Sequence, residues 1–279
     1  METRMKVRTA VVSGQFYPEE PQVLRAQVQA LLSGSRSIPD PQVRALIVPH
    51  AGYDYSGSIA ADAYKMIEGR KFESVVLIAF LHRMFLQGVL VDDVEAYETP
   101  LGRIPVDRVL VREIQKCHPL LRNAAAGRIE EHSLEVQLPF LQEALPGLKI
   151  VPVYIGVQDI QNITALAEAL AKTMVTRNIL VVATSDLSHF HPYDVAVKKD
   201  NAVIALFEEA NSEAIYEAYA EEKVEACGMG PVLAMILLAR KMGWAGPRLI
   251  RYANSGDVTG DKGSVVGYAA MAFKDSRES

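Results

Sequence analysis

Apolar residues along this chain gather in short runs separated by stretches of helical spacing. Six runs rich in β-branched residues read as buried strands: Val43 to Val48, Ser74 to Ala79, Gly88 to Val91, Ile150 to Ile155, Ile179 to Ala183 and Ser264 to Ala270. Between them, Leu24, Val28 and Leu31 recur at helical intervals, as do Leu134, Leu138 and Leu141, and again Leu166, Leu170 and Met174. Val232 to Met242 is a more fully apolar helix. Strands alternating with helices predict an α/β fold, a sandwich whose mostly parallel or mixed central sheet is covered on both faces. No internal repeat or low-complexity tract interrupts the pattern, and the loop-like stretch Ser33 to Pro41 is short. One domain over residues 1–279 is the expectation.

Composition narrows the partners. Hydrophobic residues make up 49% and charged residues 23%, which suits a packed globular chain. The net charge is −5, and no Lys/Arg cluster exceeds short pairs such as Lys198-Lys199. Nucleic acid and anionic membrane surfaces are therefore disfavoured as partners, leaving small molecules, peptides and other proteins. Two cysteines, Cys117 and Cys227, are too few for a disulfide scaffold in 279 residues. Met1 to Thr9 lacks the apolar core of a signal peptide, and no run approaches the roughly 20 apolar residues of a spanning helix. The expected location is cytoplasmic.

Chemistry gathers at the strand ends, where open α/β sheets bind their ligands. One strand runs into Pro49-His50, a second into Phe80-Leu81-His82, and a third into Ser185-Asp186-Leu187-Ser188-His189. His132 lies where the polar turn Glu130-Glu131 enters an apolar-periodic helix. Cys227 precedes Gly228-Met229-Gly230-Pro231, a tight loop before the apolar helix in which backbone and sulfur can approach a ligand closely. A helix N-terminus also favours a thiolate there. Each residue taken singly has an ordinary structural role open to it: a hydrogen-bonded core histidine, a small buried Cys227, a helix cap at Asp186. Their concentration at one sheet edge is the stronger signal.

These residues form a recognisable set. His50-Ala51-Gly52-Tyr53 with Tyr55-Ser56-Gly57, Glu131-His132-Ser133-Leu134-Glu135 with Gln137-Leu138-Pro139, Ser185-Asp186-Leu187-Ser188-His189-Phe190, and Ala226-Cys227-Gly228 resemble, in order, the motifs of the Memo family. Gly14-Gln15-Phe16-Tyr17-Pro18 and Asn254 to Asp261 resemble it too, so the likeness runs from about Val7 to Phe273. It implies the fold of class III extradiol dioxygenases, which use non-haem Fe(II). It further implies His50, His82 and Cys227 as metal ligands, with His132 and His189 as acid/base groups and Asp186 beside them. It also implies, in bacteria and archaea, a radical-SAM partner. The chain departs from the family pattern at Ala79-Phe80-Leu81, where the family carries Gly-Pro and a small polar residue. The bulky pair is expected to narrow the pocket beside His82 or to shift its backbone.

Two imidazoles and a thiolate with open positions make a catalytic donor set, suited to Fe(II) or copper, with Zn(II) as the alternative. In such a site His189 would take a proton from a bound hydroxyl, Asp186 would orient it, and His132 would assist oxygen activation or protonate an intermediate. Three functions stand open: a metal-dependent, dioxygenase-like oxidoreductase of unknown substrate; a non-enzymatic adaptor that keeps the cleft for a peptide or other ligand; and a Cys-His hydrolase with Cys227 as nucleophile. The apolar helix could equally serve core or oligomer interface.

Overall fold

The computed structural model describes residues 6–124 and 129–276; Met1 to Met5, part of the leading segment considered above, lie outside them. Along the chain run β1 (Val7–Arg8), α1 (Pro21–Ser33), β2 (Val43–Val48), α2 (Tyr53–Lys65), β3 (Ser74–Phe80), β4 (Val89–Val91), β5 (Ala96–Thr99), β6 (Gly102–Pro105), α3 (Arg108–Gln115) and β7 (Leu121–Asn123). A 3₁₀ turn at Glu135–Gln137 leads into α4 (Leu138–Ala144), then β8 (Ile150–Ile155), α5 (Ile160–Met174), β9 (Ile179–Thr184) and β10 (His189–His191). The chain finishes with α6 (Tyr193–Glu209), α7 (Ser212–Ala220), α8 (Met229–Met242), β11 (Trp244–Asn254), α9 (Ser255–Thr259) and β12 (Val265–Asp275).

The β-branched runs behave as their composition demands. β8 and β9 are buried along their whole length, and β2 and β3 at all but one residue each. Such strands need cover on both faces, and helices supply it. β2, β9, β3 and β8 lie side by side and parallel. Antiparallel neighbours flank this block, with β12 beside β2 and β4 beside β8, in the order β10-β12-β2-β9-β3-β8-β4-β7. β11 also pairs with β12, and β1, β5 and β6 form a separate three-stranded sheet. α1, α2 and α4 pack together with α2 on β2 and β12, while α8 packs on β3 and β9 and against α5. The architecture is thus α/β with a mixed sheet.

Local signals explain several boundaries. Pro21 opens α1 at a position where a missing N–H costs nothing. Asp159 caps α5 by accepting from the Asn162 N–H, and Gly243 ends α8 in the left-handed conformation, φ 71°. α8 is buried from Met229 through Ile236, so the apolar helix is core in this chain. No helix among the described residues is long and apolar enough to cross a membrane.

Candidate metal centre

Four adjacent parallel strands deliver their following residues to one edge of the sheet: His50 after β2, Ser185-Asp186 after β9, Leu81-His82 after β3 and Gly156-Val157-Gln158 after β8. There the rings of His50, His82 and His132 pack mutually, with centroids 5.1 Å apart for the first two, 4.9 Å for the last two and 5.4 Å between His50 and His132. One ring nitrogen of each lies within 4.8 Å of the other two, so the trio could hold a metal ion.

What orients two of the rings is a carboxylate that the sequence placed only in a polar turn and a motif. Glu131 is buried, and its Oε1 lies 3.0 Å from His82 Nδ1 and 3.1 Å from His132 Nδ1. The same carboxylate accepts from the backbone N–H groups of His82 (2.8 Å) and Ser133 (3.0 Å). A carboxylate is acceptor-only, so both Nδ1 atoms carry a proton, and in the neutral form of each ring the Nε2 lone pair is the one left free. His50 is held alike: its Nδ1 sits 3.0 Å from Thr184 Oγ1. Its Nε2 faces the Cys227 sulfur at 3.1 Å, and in the tautomer whose Nδ1–H donates to Thr184 the thiol donates to Nε2.

Cys227 therefore touches one imidazole of the trio but lies outside the group of mutually close ligand atoms. The Asp186 N–H donates to its sulfur (3.2 Å). Asp186 Oδ1 accepts from the His50 N–H (2.8 Å), so this carboxylate fixes the backbone of the first histidine. It caps no helix, because Leu187 and Ser188 lead into β10. His189 opens β10 partly exposed; its N–H donates to Glu225 Oε1 (2.9 Å) and its ring meets Phe190 edge-on at 5.7 Å. The structure thus gathers His50, His82 and His132, places Cys227 against His50, and sets Asp186 and His189 at the margin.

Electrostatics separates the groups. Burial, reinforced by the neighbouring His82 and His132, holds His50 well below the ordinary imidazole range, so the ring is neutral at physiological pH. Burial pushes Asp186 up to about 6, against the pull of the His50 N–H and the nearby imidazoles. Burial opposes ionisation of Glu131 too, but the hydrogen bonds from His132 and His82 prevail and keep it far below the usual carboxylate range. The thiolate expected at Cys227 is overridden: burial and then the Asp186 charge push this thiol well up. A metal ion reverses that balance by replacing the thiol proton.

The backbone supports the sulfur by close approach. A Cβ added at Gly228 would lie 2.1 Å from the Thr184 carbonyl oxygen and 2.8 Å from Ser185 Cβ. Gly228→Ala is expected to lower stability by about 2–3 kcal/mol, because the clash with backbone exceeds the few tenths gained from unfolded-state entropy. Urea unfolding checks this; an unchanged midpoint would show that the turn has room.

Glu135 performs a second task. Its Oε1 accepts from the Val11 and Val12 N–H groups, each 3.0 Å, and from the Tyr17 hydroxyl, 2.8 Å, so the leading segment is tied to the turn that bears His132. Phe16 then packs on the His132 ring at 4.9 Å. Beside His82, Phe80 and Leu81 line a cavity of about 390 Å³.

Residues 8–272 match the family model described as Memo-like protein. A MEMO1 family protein of Sulfolobus acidocaldarius is 36% identical over 285 residues, covering 96% of this chain and 100% of the relative. One from Aquifex aeolicus is 35% identical over 270 residues, covering 96% and 100%. Among solved structures, an uncharacterized protein of Escherichia coli K12 aligns with TM-score 0.52 at 14% identity, over 83% of this chain and 99% of that one, a likeness of fold alone.

Proposed function

The chain belongs to the Memo-like family, and from that premise we propose that it is a metal-dependent oxidoreductase acting on a small-molecule ligand, with Fe(II) or copper as its ion and Zn(II) as the redox-inert alternative. One observation carries the proposal: Glu131 and Thr184 engage the Nδ1 edges of three packed imidazoles and leave their Nε2 atoms as donors. Metal-binding histidines are oriented in this way by acceptors on their far nitrogen.

His50, His82 and His132 would hold the ion, with the Cys227 sulfur beside His50 as a further donor once its proton is lost. Such a donor set fits iron, copper or zinc better than magnesium or calcium, because it offers nitrogen and sulfur. The bound ion would supply electron transfer or Lewis acidity. The remaining work falls to the chain. His189, partly exposed at the start of β10, exchanges a proton with a ligand hydroxyl, and Asp186 keeps a proton available near pH 6. A nucleophilic role for Cys227 is disfavoured by the burial that raises its thiol.

Anaerobic purification with elemental analysis, repeated on Cys227→Ser, tests the proposal. The wild-type chain is expected to carry about one ion that chelators remove, while Cys227→Ser keeps a weaker hold and loses preference for the softer ions. A chain that takes up no stoichiometric Fe(II), Cu(I) or Zn(II) would overturn it.

A further inference from the structure

The cavity of about 390 Å³ beside His82 differs in chemistry from the histidine cluster and lies within the size range of small-molecule sites. Phe80 and Leu81 enter it from the end of β3, Met84 and Phe85 from the loop that follows, and Tyr216 and Tyr219 from α7. Two polar side chains at its edge, Gln158 and Asp159, are already engaged. Gln158 Nε2 donates to the Cys227 carbonyl (3.0 Å), and its Oε1 accepts from the Gly230 N–H (2.5 Å). The Asp159 carboxylate accepts from the Asn162 N–H (2.8 Å) and from Gln87 Nε2 (3.0 Å). What remains to meet a ligand is mostly carbon and aromatic rings, two of them carrying the phenolic hydroxyls of Tyr216 and Tyr219. A molecule gains here by burying apolar surface, and ring walls favour a ring. His82 joins the two regions: it lines the cavity, its ring lies 5.1 Å from that of Phe80, and it belongs to the imidazole trio.

We propose that this cavity binds the uncharged aromatic body of a small anionic ligand whose oxygen head reaches the histidine cluster. An ion held by neutral imidazoles keeps positive charge and attracts an anionic oxygen, so the placement of the head rests on the metal-binding proposal. The placement of the body rests on the cavity walls.

Calorimetric titration of zinc-loaded and metal-free protein with 2-naphthoate, using acetate as a head-only control, tests this. Wild-type protein is expected to bind 2-naphthoate at least about ten-fold more tightly than acetate. Phe80→Ala and Tyr219→Ala, on separate elements, are each expected to weaken naphthoate binding roughly five- to ten-fold and to leave acetate binding unchanged. Naphthoate binding no tighter than that of acetate, or unaffected by both substitutions, would overturn the proposal. Zinc uptake separates the two ideas. Ring-dependent naphthoate binding in a chain that takes up no zinc upholds the cavity and sinks the metal centre, and zinc uptake without preference for naphthoate does the reverse.

Discussion

His82→Ala is expected to abolish stoichiometric metal uptake while the protein stays folded. His82 supplies one of three ring nitrogens lying within 4.8 Å of one another, so its loss leaves two imidazoles and an adjacent thiol. Losing a ligand should cost more than the roughly 10- to 100-fold that loss of an outer partner costs. The fold should tolerate the change. The side chain is 25% exposed, and Glu131 keeps its bonds from Ser133, from His132 and from the backbone N–H of residue 82. Chelator competition gives the affinity and circular dichroism the fold. His191→Ala is the control, because that ring pairs with Glu225 at 2.8 Å instead of joining the trio. An affinity for His82→Ala within about ten-fold of wild type would remove His82 from the coordination set.

Glu131→Gln should act on both affinity and stability. A glutamine offers one oxygen and one NH₂ where a carboxylate now meets four donors, so an N–H would face an N–H. The expected cost is about 2–4 kcal/mol in stability and roughly 10- to 100-fold in metal affinity, through loss of ring orientation. The pH dependence carries a sign. Opposed by burial, the His132 and His82 hydrogen bonds still lower this carboxyl's pKa in the folded state from 4.5, the value it takes when unfolded. The ionised form thus stabilises the fold fully above about pH 4.5 and progressively less as pH falls below it. The gap between wild type and Glu131→Gln should be widest near pH 7 and close in acid. A gap independent of pH would mean that charge plays no part.

The parallel core was legible because its strands are buried on both faces and so appear as unbroken apolar runs. β2 and β8 match the expected limits, and β3 and β9 extend one residue further. β11 was missed because Trp244–Asn254 is largely half-exposed and interrupted by Gly246-Pro247 and Arg248. α2 was missed because small buried residues on several sides blur the helical period. The expected helix from Leu134 starts as a 3₁₀ turn and becomes α4 only at Leu138, next to Pro139. At the site, strand-end residues could be placed on one edge from the sequence, since parallel neighbours share a direction. Distances between loops could not. Whether His132 or Cys227 stands with His50 and His82 depends on how the Glu131 turn and the Gly228 turn close, and no spacing encodes that. Glu131 itself read as part of a polar turn, although an acid directly before a candidate histidine was the available signal.

The hold that Glu135 keeps on Val11, Val12 and Tyr17 has a consequence for biosynthesis. The leading segment's side-chain anchors stand more than a hundred residues further along the chain: Glu135 holds Val11, Val12 and Tyr17, and Arg8 ends against Tyr154 and the Glu131 carbonyl. Those contacts can form only after that later stretch has been translated. The segment's final docking therefore comes late, and until then it can be held only by nearer contacts such as the pairing of β1 with β5.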